Sequence, residues 1–411
     1  WPGAVRRAGY RDVRDDAAIM STAAWEEFLE KLRQAGEFIC GEKMPTTLID
    51  RAEGYRHLAA LLSTGASEML SASDPERPRF GWADSIAKWG LDCADALYCQ
   101  APLRPGALYR VRGYRGSVHF LGFQLTAGAR ALADLDGDDL VVGPQGEFEL
   151  IIGGEPRDGN WMELAEGGNT LTVRQFFYDW DNEIPASLVI DRIDDGERRP
   201  PQLVGPGGII GQLPALGAFV CGGTEFWADS SVAKRDEHLN SFPEDHGIGS
   251  AAGSSQKFQA FGIGYFKLAP DEALIVEVTP PTAKYWSLHL GNFWGESMDY
   301  TNFQSSLNGH QAVLDADGVF RAVISERDPG IANWLDTAGH SEGSMVYRWN
   351  QADGAPIPDT RVVKLDEVKR VLPDATPRVD PSERLAAVER RREHMRRRHT
   401  RVVQPAANGG I

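Results

Sequence analysis

Cysteine, cationic charge and long apolar runs are all scarce in this chain. Only four cysteines, Cys40, Cys93, Cys99 and Cys221, occur in 411 residues, and none forms a CxxC pair. That argues against a disulfide framework or a thiolate zinc site and makes reduced thiols the expectation. Lys and Arg number 43 against 59 Asp and Glu, and the formal charge of −16 opposes sequence-independent binding to nucleic acid or to an anionic membrane. No stretch approaches the roughly 18 apolar residues that cross a bilayer. The residues after Trp1 lack the charged, then apolar, then small-residue order of a signal peptide. A cytoplasmic protein with neither nucleic acid nor membrane as partner is expected. His289, His310, His340 and Asp299 fall in one half of the chain, but none has HExxH spacing or the two-residue strand spacing of paired metal histidines. No metal and no cofactor are therefore expected.

What the chain does contain is a repeat. Gly146-Glu147-Phe148, an apolar run to Ile152, Asn160-Trp161-Met162, a Gly-rich turn and Leu171-Thr172-Val173-Arg174-Gln175-Phe176 form one copy. Gly318-Val319-Phe320, a run to Ile324, Asn333-Trp334-Leu335, another Gly-containing turn and Met345-Val346-Tyr347-Arg348-Trp349 form the other. The copies lie 172 residues apart at Gly146 and Gly318, and 173 at Trp161 and Trp334. Such constant register points to a duplicated supersecondary unit.

Helical periodicity is confined to the front of the chain and its end. Trp25, Phe28, Leu29 and Leu32 share one stripe between Thr22 and Gly36; Tyr55, Leu58, Leu61 and Leu62 do so between Thr47 and Leu70. Short helices are expected over Trp82–Trp89 and Ser231–Leu239. Between them, short apolar segments separated by Gly, Asp and Pro read as antiparallel strands. The fold expected is mainly β with an α-helical N-terminal region: two antiparallel β-sandwich or jelly-roll-like domains related by internal duplication, plus a C-terminal helix. The divisions are 1–104 helical, 105–200 first sandwich, 201–217 a Pro/Gly-rich crossing, 218–365 second sandwich, and 366–411 a basic helix and tail. In that tail Leu385, Val388 and Met395 give a thin apolar seam among arginines, suited to lying across an acidic body, and a homo-oligomer is expected.

Function is read from what one copy has and the other lacks. Both keep the Asn-Trp pair, but only the second adds Asp336, His340 and Arg348, opposite Glu163, Gly167 and Gln175. With Asp299 these offer a titratable base, an orienting carboxylate and a cation for a developing anion. Asn302, Gln304, Asn308 and Asn333, with Trp294 and Trp334, offer amides and stacking rings for a hydroxylated substrate, a carbohydrate or glycoside among the candidates. The expected function is a cofactor-free acid/base enzyme on a small hydroxylated organic substrate, most readily a hydrolase and possible as a glycosidase. The alternatives are a lyase or isomerase, or a ligand-binding protein without chemistry. Three sharper motifs are set aside. Gly339-His340-Ser341-Glu342-Gly343 lacks the strand-turn-helix setting of a nucleophile elbow. Asp134 to Asp139 lacks the central Gly and distal Glu of a calcium loop. Gly205, Gly207 and Gly211 have no βαβ unit around them.

The second copy also carries words of a known family. Tyr285-Trp286-Ser287-Leu288, Asp299-Tyr300-Thr301-Asn302, Ser306-Leu307-Asn308, and Asp328-Pro329-Gly330 leading to Asn333-Trp334-Leu335-Asp336-Thr337-Ala338-Gly339-His340 and Arg348-Trp349 resemble the bacterial family called domain of unknown function 1214. The resemblance spans about 259–361 and implies a β-sandwich-like fold with a companion β domain in front. Glu53-Gly54-Tyr55-Arg56 and the Asp92–Tyr98 segment resemble the front end of longer members, although Cys93 and Ala94 stand where an Asn-Pro pair belongs. The resemblance implies nothing specific about chemistry.

Overall fold

The computed structural model describes residues 21–71, 74–82, 87–128, 130–196, 206–244 and 259–403. Helices α1 (Ala23–Ile39) and α2 (Leu48–Ala66) form where periodicity places them, and Thr47 caps α2 by accepting from the Asp50 N–H. Phe28 and Leu61 point inward, but Trp25, Leu29 and Tyr55 are exposed. The covered stripe is set instead by a third helix that approaches closely: a Cβ at Gly217 would lie 3.2 Å from the Phe28 carbonyl oxygen. This helix, α3 (Pro206–Glu237), runs through Pro214. From Pro206 on it stands where the crossing over 201–217 is expected, 201–205 lying outside the described residues, and it takes in Ser231–Glu237 of the short helix expected at Ser231–Leu239, because packing on α1 and α2 overrides local breakers. Although no continuous apolar run of bilayer-crossing length is present, its Ile209–Glu237 portion is long and apolar enough on average to span a membrane, by length and composition only, a test that core helices also pass. The helix expected over Trp82–Trp89 falls partly outside the described residues; Gly81–Trp82 is a strand.

Two β-sandwiches of one topology make the body. The first contains β1 (Gly81–Trp82), β2 (Ala96–Pro102), β3 (Tyr109–Tyr114), β4 (Phe120–Ala127), β5 (Arg130–Asp136), β6 (Glu147–Ile152), β7 (Trp161–Met162), β8 (Thr170–Phe176) and β9 (Ser187–Arg192). The second contains β10 (Gln259–Lys267), β11 (Glu272–Val278), β12 (Ala283–Gly291), β13 (Ser306–Asn308), β14 (Phe320–Ser325), β15 (Trp334–Asp336), β16 (Glu342–Ala352) and β17 (Asp359–Lys364). Beyond the extra edge strand β1, the first pairs as 2-8-4-5 and 7-6-3-9 and the second as 10-16-12-13 and 15-14-11-17, which is the same order. Since β2 belongs to the first sandwich, the helical front ends before Ala96 and not at residue 104.

The duplication reaches individual hydrogen bonds. Asn160 Nδ2 donates to the carbonyls of Val141 and Glu149, and its Oδ1 accepts from Val141 N. Asn333 does the same with Val313 and Arg321. Trp161 Nε1 donates to Gly153 O, and Trp334 Nε1 to Ser325 O, both at 3.0 Å. The turns before β6 and β14 each place a glycine in the left-handed region, Gly146 at φ +82° and Gly318 at φ +80°, a conformation that side chains resist. Each sandwich buries its own core, Leu121, Phe123, Leu150 and Val173 in one, Leu274, Leu288, Ile324 and Tyr347 in the other.

The large sheets of the two sandwiches face each other. Ala96, Phe120 and Phe176 from the first meet Tyr285 from the second. Across this seam lies α4 (Pro381–Val403). Only part of the expected apolar seam is covered: Met395 is buried and Val388 half-buried, but Leu385 is 72 % exposed, and Arg384, Arg391, His394 and Arg398 make up the rest of the buried line. All four cysteines are free, and Cys93 and Cys99 are buried.

Candidate functional site

Side-chain alternation on β16 decides where the chemistry faces. Met345, Tyr347 and Trp349 enter the second core, so Arg348 points out of it, toward the first sandwich. There its Nη2 donates to Leu91 O at 2.8 Å, and Nη1 lies 2.9 and 3.0 Å from the two ring nitrogens of His289. Burial, then the charges of Arg348 and Lys88, push the His289 pKa far down. The ring is therefore neutral, and its lone pair accepts from the guanidinium. His289 orients Arg348 and is not free to act as a base. Arg348 is buried and forms no ion pair with a carboxylate among the described residues.

The first sandwich repeats this arrangement. Leu171 and Val173 enter its core, which turns Arg174 to the seam, where Nη1 donates to Gln124 Oε1 at 2.8 Å. Arg174 lies opposite Gly122 on β4, and Arg348 opposite Ser287 on β12; Gln124 and His289 stand two residues further along those strands. By register, then, the counterpart of Arg348 is Arg174 and not Gln175, which lies opposite Leu121. One residue gained in the preceding turn had hidden this, and a one-residue slip exchanges the two faces of a strand.

Both arginines act electrostatically on Tyr98, which is paired with Arg174 across β2 and β8. Its hydroxyl makes no hydrogen bond to a described residue, and burial keeps it protonated against the pull of Arg348 and Arg174. Lys88 Nζ donates to the Ser297 and Met298 carbonyls at 3.0 Å and lies 4.3 Å from the Tyr300 ring centre. Burial lowers its pKa, against the nearby Asp92 and Asp299. Asp92 accepts from Ser297 N and Oγ at 2.9 and 2.7 Å. Tyr98, Arg174 and Lys88 are surrounded by protein yet only half-buried, as side chains on a concave surface are, and with the half-buried Asp92 beside them they mark this part of the seam as the candidate recess. Behind it Asp95 accepts from Trp180 Nε1, Tyr285 Oη and Asn308 Nδ2 at 2.7, 2.7 and 2.8 Å, locking the sandwiches together.

A second polar cluster joins α2 to the second sandwich. His340 Nε2 lies 2.7 Å from Glu53 Oε2 and Nδ1 lies 2.9 Å from Thr337 O. Both ring nitrogens face acceptors, so the ring carries both protons. Burial is the largest influence and opposes that charge, but the hydrogen bond and negative charge of Glu53, with the Thr337 carbonyl and Asp50, together outweigh it and raise the pKa. Asn292 Nδ2 bridges Glu53 and Glu296 at 2.8 and 3.2 Å, and Arg56 and His57 donate to Glu296 at 2.9 and 3.1 Å.

The four residues expected to share one centre are thus divided. His340 is oriented by Glu53 and not by Asp336, and it is a held cation. Asp336 accepts from Ala338 N at 2.8 Å, and burial raises its pKa to about 6. Asp299 caps its own turn through Thr301 N and Asn302 N at 3.0 and 3.1 Å. Arg348 alone reaches the recess directly. Among the expected substrate residues, Gln304, Asn308 and Asn333 spend their amides on backbone or on Asp95, and Asn302 bonds Asp299 and Arg392. Trp294 and Trp334 are buried and donate to the Asp50 and Ser325 carbonyls. Tyr98, Arg174 and Lys88 went unrecognised, although the family-like Asp92–Tyr98 segment pointed to part of the recess, and His289 was weighed only as a metal ligand. Among the described residues no group of three or more His, Cys, Asp or Glu could hold a metal ion.

Residues 272–353, which carry β12, β16 and Arg348, match the family described as a protein of unknown function, DUF1214. An uncharacterized protein from Burkholderia cenocepacia, known from its crystal structure, is 34% identical, with a TM-score of 0.79 over 86% of this chain and 99% of its own. The chain belongs to the DUF1214 family. A crystal structure of a protein from Vibrio parahaemolyticus, 10% identical, covers 81% of this chain and 100% of its own at a TM-score of 0.45. No curated protein matches this DUF1214 chain.

Proposed function

We propose that this DUF1214 protein is an enzyme that acts on a small hydroxylated organic acid in the seam recess, moving protons with its own side chains. A hydrolase is the first reading and a lyase or isomerase the second. The observation that carries this is Arg348: a buried guanidinium that forms no ion pair with a carboxylate among the described residues, Asp92 acting on it only at longer range, is costly to keep unless a ligand completes it. Arg348 binds the acid group, His289 holds the guanidinium in place, and the neutral Tyr98 hydroxyl donates to negative charge that develops beside it. Lys88, its pKa lowered by burial, is the nearby group suited to exchanging the proton. Because Trp294 and Trp334 lie in the core, this reading places the substrate's recognition on charge and not on ring stacking.

The test uses the purified full chain and a panel of small hydroxy acids, sugar acids and neutral sugars, with thermal shift for binding and proton NMR for turnover. Arg348→Gln is expected to abolish binding of the acids. Tyr98→Phe is expected to keep binding and lower turnover by about 100-fold. Acid binding that survives Arg348→Gln, or Tyr98→Phe turning over like the wild type, would overturn the proposal.

A further inference from the structure

The two cationic walls of the recess are copies of one another. Arg174 on β8 and Arg348 on β16 occupy equivalent strand positions on sheets that face each other. Each is steadied by the polar side chain at the matching place on the neighbouring strand, Gln124 at 2.8 Å and His289 at 2.9 Å. Neither forms an ion pair with a carboxylate among the described residues, and both act electrostatically on the Tyr98 phenol. Arg174 is only half-buried, and its one hydrogen bond to a described residue is the Nη1 bond to Gln124. Two guanidinium forks from opposite sides suit a ligand with an anionic group at each end, because each fork pairs best with one planar or tetrahedral oxyanion. A single carboxylate would satisfy one wall and leave the other unpaired.

Resting on the assignment of the recess as the substrate site, we propose that the ligand is a short bis-anion, either a dicarboxylate or a phosphorylated carboxylate. Arg348 takes one end and Arg174 the other. The duplication thus supplies the specificity: each sandwich contributes one arm, and Arg174 is the residue that separates a diacid from a monoacid.

Calorimetric titration of the full chain at low salt tests this with malate and 3-phosphoglycerate, each against the monoanion 3-hydroxybutyrate. At least one bis-anion is expected to bind about 10-fold more tightly than the monoanion, and which one does so distinguishes the two sources. Arg174→Gln is expected to abolish that bis-anion's preference, bringing its affinity to within about twofold of the monoanion's. Should Arg174→Gln fail to fold, Arg174→Lys, which keeps the charge but loses the fork, is expected to cut the preference by at least about threefold. Equal affinity for mono- and bis-anions in the wild type, or a preference that survives both Arg174 variants, would overturn the inference while leaving the recess proposal standing. Absence of binding by all three acids would overturn both.

Discussion

Among single residues, His340 and Arg348 show how two charged groups of one strand-loop unit come to play opposite parts. His340 has a carboxylate at 2.7 Å; among the described residues Arg348 bonds only a carbonyl and a neutral ring. The first is a satisfied ion pair and the second an unsatisfied cation, so the first bears on stability and the second on binding. The Glu53–His340 pair makes stability depend on pH with a definite sign. Glu53 is lowered from 4.5, burial being outweighed by the hydrogen bond and charge of His340 together with Asn292 and Arg56; its contribution exists above that ordinary value and is lost as pH falls through the depressed one. His340 is raised from 6.5; its contribution is complete below 6.5 and lost as pH rises through the raised value. Both act together between the two ordinary values. Urea unfolding of wild type and Glu53→Gln from about pH 5 to about pH 9 should therefore give a stability difference that is largest near the lower end and shrinks on the alkaline side. A difference that stays constant across that range would show that the pair does not carry the charge assigned to it.

At the scale of elements, the duplicated turn is a matched experiment within one chain. Asn160 and Asn333 make the same three hydrogen bonds, but Asn333 is 1 % exposed while Asn160 keeps more contact with water. Alanine at 333 strands buried backbone groups with no substitute partner; alanine at 160 lets water replace some bonds. Asn333→Ala should cost about 2–3 kcal/mol and Asn160→Ala about 1 kcal/mol in denaturant unfolding, and equal costs would contradict this reading of burial. Equivalences of this kind were legible in the sequence because Gly, Asn and Trp keep their identity wherever a turn demands them. Arg174 and Arg348 were not, since one inserted residue shifted the apparent alignment and only strand pairing restores the parity. Nor was α3, whose Pro214 and glycines carry the local signature of a linker while contacts with α1 and α2 make it a helix. Glu53 and His340 lie 287 residues apart, a separation that no local pattern spans.

For the whole molecule, the question is what keeps two sandwiches with separate cores acting as one body. Asp95 is one lock, and α4 is the other. Near its start Arg384 donates to Asp328 at 2.9 Å and to Ile331 O at 2.6 Å, and lies 5.2 Å from the Trp334 ring, all in the second sandwich. Midway, Arg391 donates to the Tyr300 carbonyl and lies 4.9 Å over Trp180 of the first. Further on, His394 donates to the Trp180 carbonyl, while Arg398 donates to Ala94 O at 2.8 Å and lies 4.5 Å over Phe177. The helix thus crosses the seam with arginines that mostly meet carbonyls and rings, not carboxylates. Contacts of this buried kind are weakly screened by salt, unlike exposed ion pairs. A chain ending at Asp380 should then expose Phe177, Trp180 and Trp334 and uncouple the two cores. In urea, tryptophan fluorescence and circular dichroism should report one shared midpoint for the full chain and separated midpoints for the shortened one, while about 1 M NaCl leaves the full chain's midpoint nearly unmoved. A shortened chain whose two probes still coincide at the original midpoint would mean that the Asp95 lock alone suffices and that α4 merely rests on the seam.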